Sequence, residues 1–370
     1  MHEEHTTRRG FIGMVGATGI AATAGCAGFE PPQASLSATS DEGVIARGGN
    51  EEPFVALYEA IAPGVIELVR PGGSPFEPDG GSGFLIDDET IVTNAHVTFG
   101  ADEVDIRFQN GDWASGSVVQ EDLHSDLAVI VAETVPTEAK SLSFEEAVPA
   151  VGTAMMAIGA PFGLSGSASV GIVSGVNRSL PSLTGFTIPA AIQTDAAVNP
   201  GSSGGPLVDR DGLVRGIVFA GAGDDLGFAI SAKLAGRVIP TLRAGREFEH
   251  SYIGITMIDV TPPVAEANDL EEIRGIIVEN VIEDTPADGV LRGADEDATV
   301  NGMPVPIGGD VIVAINGEPI DALDALSTYL AIETTPGDRI RIDLRRDGTE
   351  ETVELELGAR PENVAMPLPP

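Results

Sequence analysis

Residues 194–208 read TDAAVNPGSSGGPLV and place Ser203 inside the run Gly201-Ser202-Ser203-Gly204-Gly205. The residues just past this run decide the fold. Pro206-Leu207-Val208 is a short apolar strand, Asp209-Arg210-Asp211-Gly212 is a turn, and residues 213–220 (LVRGIVFA) form another strand. A strand-turn-strand after the glycine run belongs to antiparallel β structure.

The same grammar extends outward from Gly64 to about Leu242. VIELV (65–69), TIVTNAHV (90–97), EVDIRF (103–108), LAVIVA (127–132), TAMMAIG (153–159), ASVGIVSGV (168–176) and LGFAIS (226–231) are short apolar runs separated by turn signals. Strands at this density predict β-barrels rather than a parallel sheet with crossover helices. The 46 Gly and 26 Pro agree with many turns, and 370 residues are enough for two cores. Glu51–Ala62 puts Phe54, Leu57, Tyr58 and Ile61 at helical spacing ahead of Pro63 and predicts one entry helix.

From Ser251 the text changes. GIIVENVI (275–282), VIVAINGEPI (311–320), RIRIDLRR (339–346) and ETVELEL (351–357) are strands around one amphipathic helix, Asp321–Ile332, with Asp321 as its expected cap. These form a second, small α+β domain with a boundary near Arg246. Gly293–Gly309, carrying Asp295, Glu296 and Asp297, reads as a solvated acidic loop insertion rather than a calcium site. No metal and no cofactor is expected. Residues 359–370 read as a loose tail.

The formal charge is −37, from 57 acidic and 20 basic residues, and the lysines are Lys140 and Lys233 alone. Such a surface repels nucleic acid, which is excluded as a partner. At molar salt the Debye length falls to about 3 Å, so self-repulsion is quenched; the composition is that of a halophile's protein. At the start, Thr7-Arg8-Arg9-Gly10-Phe11-Ile12 and a Gly/Ala-rich run ending in Ala24-Gly25-Cys26 resemble a twin-arginine export signal with a lipobox. On this basis residues 1–26 are a processing segment, Cys26 is the lipidation site that anchors the chain to the outer face of the membrane, and residues 27–50 are a flexible tether.

A serine hydroxyl becomes a nucleophile when a base takes its proton and a third group orients the base. Beyond the processing segment the histidines are His96, His124 and His250. His96 ends an apolar strand and can face a cleft, whereas His250 reads as a solvated linker residue. Asp126, just before the buried LAVIVA strand, is the orienting acid; Asp122 and Asp105 look solvent-facing. The glycines allow the N–H groups of Gly201 and Ser203 to converge as an oxyanion hole. Residues 201–205 also satisfy G-x-S-x-G, the elbow of α/β-hydrolases, but that arrangement needs a helix after the serine and a late histidine. The order His96, Asp126, Ser203 is the chymotrypsin-like one.

GSGFLI (81–86), TNAHV (93–97), SDLAV (125–129), IGAPFGL (158–164), VGIVSGV (170–176), QTDAAVNPGSSGGPLV (193–208) and LGFAIS (226–231) together resemble the HtrA/Deg family of serine proteases with a C-terminal PDZ domain. The resemblance covers about residues 52–358. It implies a mainly β chain, with a chymotrypsin-like double β-barrel over 51–246 and a PDZ domain over 247–358. It also implies Ser203 as nucleophile, His96 as general base and acid, Asp126 as orienter, and Gly201 with Ser203 as oxyanion donors. Ser202 and Ala95 stand where the family commonly has Asn. Ala196, Ala197, Ile217, Val218 and Phe219 fall at the specificity pocket, whose uncharged character favours small or aliphatic side chains at the cleaved position. Asn177–Ala190 resembles the family's sensor loop. Tyr252, Ile253, Gly254 and Ile255 match the PDZ carboxylate loop, which takes peptide C-termini. The implied function is extracytoplasmic quality control, cleaving unfolded or damaged exported proteins, in a homo-oligomer that family resemblance makes a trimer. The alternative is a PDZ-based chaperone or scaffold with a resting or silent protease domain.

Overall fold

The computed structural model describes residues 53–71, 80–160, 166–221 and 226–361. The arginine pair, Cys26, the 27–50 tether, and residues 161–164 of the IGAPFGL motif lie outside the described residues. The entry helix is α1 (Pro53–Ile61), ended by a 3-10 turn at Ala62–Gly64, and it buries Leu57 and Ile61.

Twelve strands build two closed barrels. The first contains β1 (Val65–Val69), β2 (Gly80–Leu85), β3 (Thr90–Thr93), β4 (Glu103–Arg107), β5 (Trp113–Asp122) and β6 (Leu127–Ala132), closed in the order β1-β2-β3-β6-β5-β4. The second contains β7 (Ala154–Gly159), β8 (Ser167–Pro181), β9 (Thr187–Thr194), β10 (Pro206–Val208), β11 (Val214–Gly221) and β12 (Gly227–Ser231), in the order β10-β11-β12-β9-β8-β7. Closure removes the sheet edges that an open β-sheet exposes. Strand alternation then sorts the side chains. Ile66, Leu68, Leu85, Ile91, Val104 and Ile106 fill the first barrel, and Met155, Val173, Ile192, Leu207 and Val218 fill the second.

A third cluster lies between the barrels and fixes their mutual position. Phe84, Val92, Leu127 and Val129 meet Met156, Ile158, Ile188, Val214, Ile217 and Ile230 there. Each such fully buried side chain contributes on the order of 1.5–3 kcal/mol. Two helices serve this region: α2 (Ala95–Thr98), one turn directly after β3, and α3 (Ala232–Arg243), whose buried Leu234, Val238 and Leu242 join the same core. His96 therefore sits on a helical turn past the strand rather than at the strand's end.

The C-terminal region holds β13 (Ser251–Tyr252), β14 (Ile255–Asp259), α4 (Pro262–Ala267), β15 (Ile276–Val281), β16 (Glu296–Val300), β17 (Met303–Ile307), β18 (Val311–Ile315), β19 (Glu318–Pro319), α5 (Leu323–Glu333), β20 (Arg339–Arg346), β21 (Thr349–Glu356) and β22 (Gly358–Ala359). Its main sheet runs β14-β15-β18-β20-β21, with β19 added to β18, so β14 is an edge strand.

Three expectations change here. Gly293–Gly309 is not all loop, since β16 and β17 pair as a hairpin through Asn301-Gly302, both at positive φ as a tight primed turn requires. Asp321 does not cap α5; the Leu323 N–H donates to Asp259 Oδ1 at 2.6 Å instead, from the neighbouring strand. The tail begins later than residue 359, because Ala359 pairs with Ser251 and the Arg360 guanidinium lies 4.5 Å from the Phe186 ring centre.

Candidate active site

The site is assembled from elements of both barrels. Asn94 leaves β3 in extended conformation and starts α2, while its side-chain amide donates to the Asp126 carbonyl at 3.0 Å. One residue past the start of α2, the His96 backbone N–H donates to Asp126 Oδ1 at 2.8 Å and its Nδ1 lies 2.7 Å from Asp126 Oδ2. One carboxylate thus fixes both the backbone and the ring of the same residue. A carboxylate accepts only, so Nδ1 carries the proton and Nε2 keeps its lone pair for use as a base. The Asp126 side chain is 1% exposed against 33% for His96, which orders them as a buried orienter and an accessible base.

Asp126 has φ +54°, a left-handed conformation uncommon outside glycine, at the end of the tight turn joining β5 to β6. Asp122 closes that turn. Its Oδ1 accepts the His124 N–H at 3.1 Å, and its Oδ2 accepts the Ser125 N–H at 3.3 Å and the Ser125 hydroxyl. Side chains of Asp bonding to backbone two and three residues ahead are a common turn device.

Ser203 comes from the second barrel. Its turn is held by Ser202 N–H to Asn199 O (2.9 Å), Gly205 N–H to Ser202 O (3.1 Å) and Gly204 N–H to Val218 O (2.8 Å). Gly204 has φ +85°, and a β-carbon there would sit 2.0 Å from the Ser82 carbonyl oxygen, so no other residue fits. The Ser203 hydroxyl donates to the Phe219 carbonyl at 2.6 Å and not to His96. The Phe219 ring stands edge-to-face with the His96 imidazole, centres 5.8 Å apart. Among the described residues neither the Gly201 nor the Ser203 N–H has a protein acceptor.

Ser82 was not singled out in the sequence, yet it joins the barrels at this point. Its hydroxyl donates to the Gly201 carbonyl at 2.7 Å and accepts the Ala160 N–H at 2.8 Å, and its N–H donates to the Ser203 carbonyl at 2.7 Å. The available signal was a small polar residue between glycines in an otherwise apolar strand.

The expected specificity pocket is not brought together as a set of side chains. Ala196 and Val218 are buried in the interior of the second barrel and Ile217 in the core between barrels, because alternate residues of β11 face opposite sides. Ala197 is exposed and Phe219 half-buried, so these two retain side-chain surface for a substrate.

A second polar cluster lies behind Asp126 and corrects two expectations. His250 is not a solvated linker residue and Asp122 is not solvent-facing: His250 Nε2 lies 2.8 Å from Asp122 Oδ2, with side chains 4% and 6% exposed. Asp105 is exposed, as expected. His124 packs against Phe186 and His250, and its Nδ1 meets Thr184 Oγ1 at 2.9 Å. Burial, with Arg360 and His250 alongside, pushes the His124 imidazole down to about 4. Burial acts to raise Asp122, but the hydrogen bond and charge of His250 and the Ser125 hydroxyl outweigh it and hold the carboxyl below its ordinary value. Burial also pushes Arg360 down to about 10 and Tyr252 up.

The expected carboxylate loop spans β13 and the start of β14. Tyr252 pairs with Gly358, Ile253 is buried, and Gly254 lies under Thr285, whose hydroxyl donates to the Gly254 carbonyl at 3.3 Å and to the Ile282 carbonyl at 2.6 Å. β14 is an edge strand, the kind of position at which strand addition takes place in peptide-binding domains. Among the described residues no helix is long and apolar enough to cross a membrane.

The chain matches the trypsin-like peptidase domain over residues 81–217 and the PDZ domain over residues 251–357. It is 35% identical over 302 residues to a protein of Ectopseudomonas mendocina (strain ymp) named probable periplasmic serine endoprotease DegP-like, covering 79% of this chain and 59% of that protein. A protein of the same name from Pseudomonas fulva (strain 12-X) is 34% identical, covering 76% of this chain and 56% of its own length. The chain therefore spans somewhat more than half the length of these relatives. Among solved structures, the HtrA-type protease AlgW with a tripeptide is 30% identical with a TM-score of 0.64, covering 83% of this chain and 97% of that one. The same protease with a decapeptide is 28% identical, also with a TM-score of 0.64, covering 83% and 99%. Two closed six-stranded barrels followed by a PDZ domain, with these matches, show that the chain belongs to the HtrA/DegP-like family of trypsin-like serine proteases with a PDZ domain.

Proposed function

We propose that the protein is a serine endopeptidase in which Ser203 is the nucleophile, His96 the general base and acid, Asp126 the orienter, and Gly201 and Ser203 the oxyanion donors. The observation that carries this reading is the double grip of Asp126 on the ring and backbone of His96, beside a serine on a glycine turn. The Ser203 hydroxyl leaves the Phe219 carbonyl, gives its proton to His96 Nε2 and attacks the peptide carbonyl carbon. The oxyanion then takes the Gly201 and Ser203 N–H groups, each such donor being worth about 10²–10³ in rate. His96 returns the proton to the departing amine, and water releases the acyl group by the reverse route.

The proposal extends to the whole chain: a processing segment over 1–26 lipidated at Cys26, a tether over 27–50, the protease domain over 51–246 and the PDZ domain over 247–358. Export by the twin-arginine route, anchoring at the outer face of the membrane, a salt-rich environment and a trimeric assembly complete it. The substrates are unfolded or damaged exported proteins, with peptide C-termini captured at the PDZ loop. Ala197 and Phe219 support a preference for small or aliphatic side chains at the cleaved position. The relatives' name supports the extracytoplasmic setting.

The test is labelling by a fluorophosphonate and cleavage of unfolded casein in molar KCl. Wild type labels and cleaves; Ser203→Ala does neither. Labelling that persists in the variant identifies a different nucleophile and defeats the assignment. The hydrogen bond of Ser203 to Phe219 O favours a second reading, a PDZ-based chaperone or peptide-binding scaffold whose protease domain is resting or silent. Under that reading casein stays intact while C-terminal peptides still bind.

A further inference from the structure

We infer that His250 is a positioning residue for the proposed reaction, acting through Asp122 on the turn that presents Asp126. The inference rests on the assignment of Asp126 as the residue that orients His96. A left-handed aspartate keeps its conformation only where its surroundings hold it, and here the holding groups can be followed one by one. Asp126 ends the turn; the turn's His124 and Ser125 N–H groups are taken up by Asp122; and the remaining partner of Asp122 is His250 Nε2 at 2.8 Å.

That last bond reaches across 128 residues, from the first barrel to the segment that leads into the PDZ domain. His250 is itself fixed from several sides. The Phe248 ring stands edge-to-face at 4.9 Å, the His124 ring at 5.3 Å, and the Arg360 N–H donates to the His250 carbonyl at 2.8 Å. Charged and titratable groups of the same cluster are Asp122, His124, Tyr252 and Arg360. The residues just before the first and just after the last strand of the PDZ domain thus join at the His250 backbone, and the His250 imidazole holds the carboxylate that shapes the turn.

Removing the His250 ring takes a donor from a buried carboxylate. A buried carboxylate short of a donor turns toward water or toward another group, and the His124 and Ser125 N–H groups lose their acceptor with it. The turn loosens where Asp126 meets His96. Misplacement of a positioning group by an ångström lowers rates strongly without removing any reacting atom. A role confined to stability would lower the unfolding midpoint and leave the His96–Asp126 hydrogen bond as it was.

The experiment uses the full chain in molar KCl, with three readouts: fluorophosphonate labelling rate, kcat and KM on a fluorogenic casein-derived peptide, and the low-field proton resonance of His96 Nδ1–H. His250→Ala is expected to slow labelling and kcat about ten- to a hundred-fold, leave KM unchanged, and shift or broaden the resonance. His250→Gln, which restores an N–H toward Asp122, recovers most of the rate and the resonance. A folded His250→Ala protein with native rate and native resonance overturns the inference, as does a Gln variant no better than Ala. If His250→Ala does not fold, Asp122→Asn decides on the same readouts, a native resonance again overturning it. Wild-type protein that never labels defeats the protease assignment itself, while the resonance still reports whether His250 controls the Asp126 turn.

Discussion

Ser82 shows how much rests on single hydroxyls at this site. It holds the Gly201 carbonyl and the Ala160 N–H while its own backbone holds the Ser203 carbonyl, so both candidate oxyanion residues hang from β2. Ser82→Ala leaves the buried Ala160 N–H and the part-buried Gly201 carbonyl without their partner, a loss of about 1–3 kcal/mol for the buried N–H alone. The expected outcome is a lower denaturation midpoint together with slower fluorophosphonate labelling. A variant that loses stability but labels at the native rate would show that the Gly201 turn does not depend on this bond. His96, Asp126 and Ser203 could be picked out in the sequence because each sits in a short local pattern. Ser82 offered only a small polar residue between glycines and His250 no local pattern at all, since their hydrogen bonds reach partners 119 and 128 residues away.

At the scale of elements, α5 is held at its far end by the other domain. The Arg237 guanidinium on α3 donates to the Ala331 carbonyl at 2.6 Å and the Thr334 carbonyl at 2.9 Å, and Ala331 and Ile332 join the core between the barrels. A helix C-terminus presents unpaired carbonyls and negative partial charge, which a cation satisfies on both counts. Lys233, one turn earlier, pairs with Glu333 at 3.1 Å in the open. Arg237→Met is therefore expected to cost roughly 2 kcal/mol, whereas Lys233→Met stays within about 1 kcal/mol. Denaturant midpoints and hydrogen exchange at residues 331–334 separate the two, and equal effects would deny Arg237 its capping role. The strands themselves were legible from alternation and turns. The β16–β17 hairpin was not, because acidic residues masked its period, although Asn301-Gly302 carried the turn signal. The start of α5 is not legible locally because the carboxylate that caps it, Asp259, lies on a different element.

For the whole molecule, the buried cluster that joins both barrels to the PDZ domain is expected to contribute to the acid response. His124 comes from the β5–β6 turn, Phe186 from the segment between β8 and β9, and Tyr252 and Arg360 from β13 and the residue after β22. With its value pushed from 6.5 to about 4, His124 stays neutral in the folded protein while the unfolded chain takes up a proton below about 6.5. Between those values the unfolded state binds more protons, so stability falls as pH falls. Asp122, held below its ordinary value, acts in the same direction at the acid end, where protonation removes the acceptor for His250 and the turn. Stability is expected to be level above about pH 6.5 and to decline toward pH 4, with a slope from His124 below the one-proton limit of about 1.4 kcal/mol per pH unit because part of its ring is solvated. Denaturant titrations at fixed molar KCl measure the slope. His124→Gln keeps a group able to bond Thr184 but cannot titrate, so it should flatten the decline between pH 6.5 and 4 while leaving the loss below pH 4. If the variant and wild type lose stability in parallel across that window, the acid response belongs to the many surface carboxylates and not to this junction.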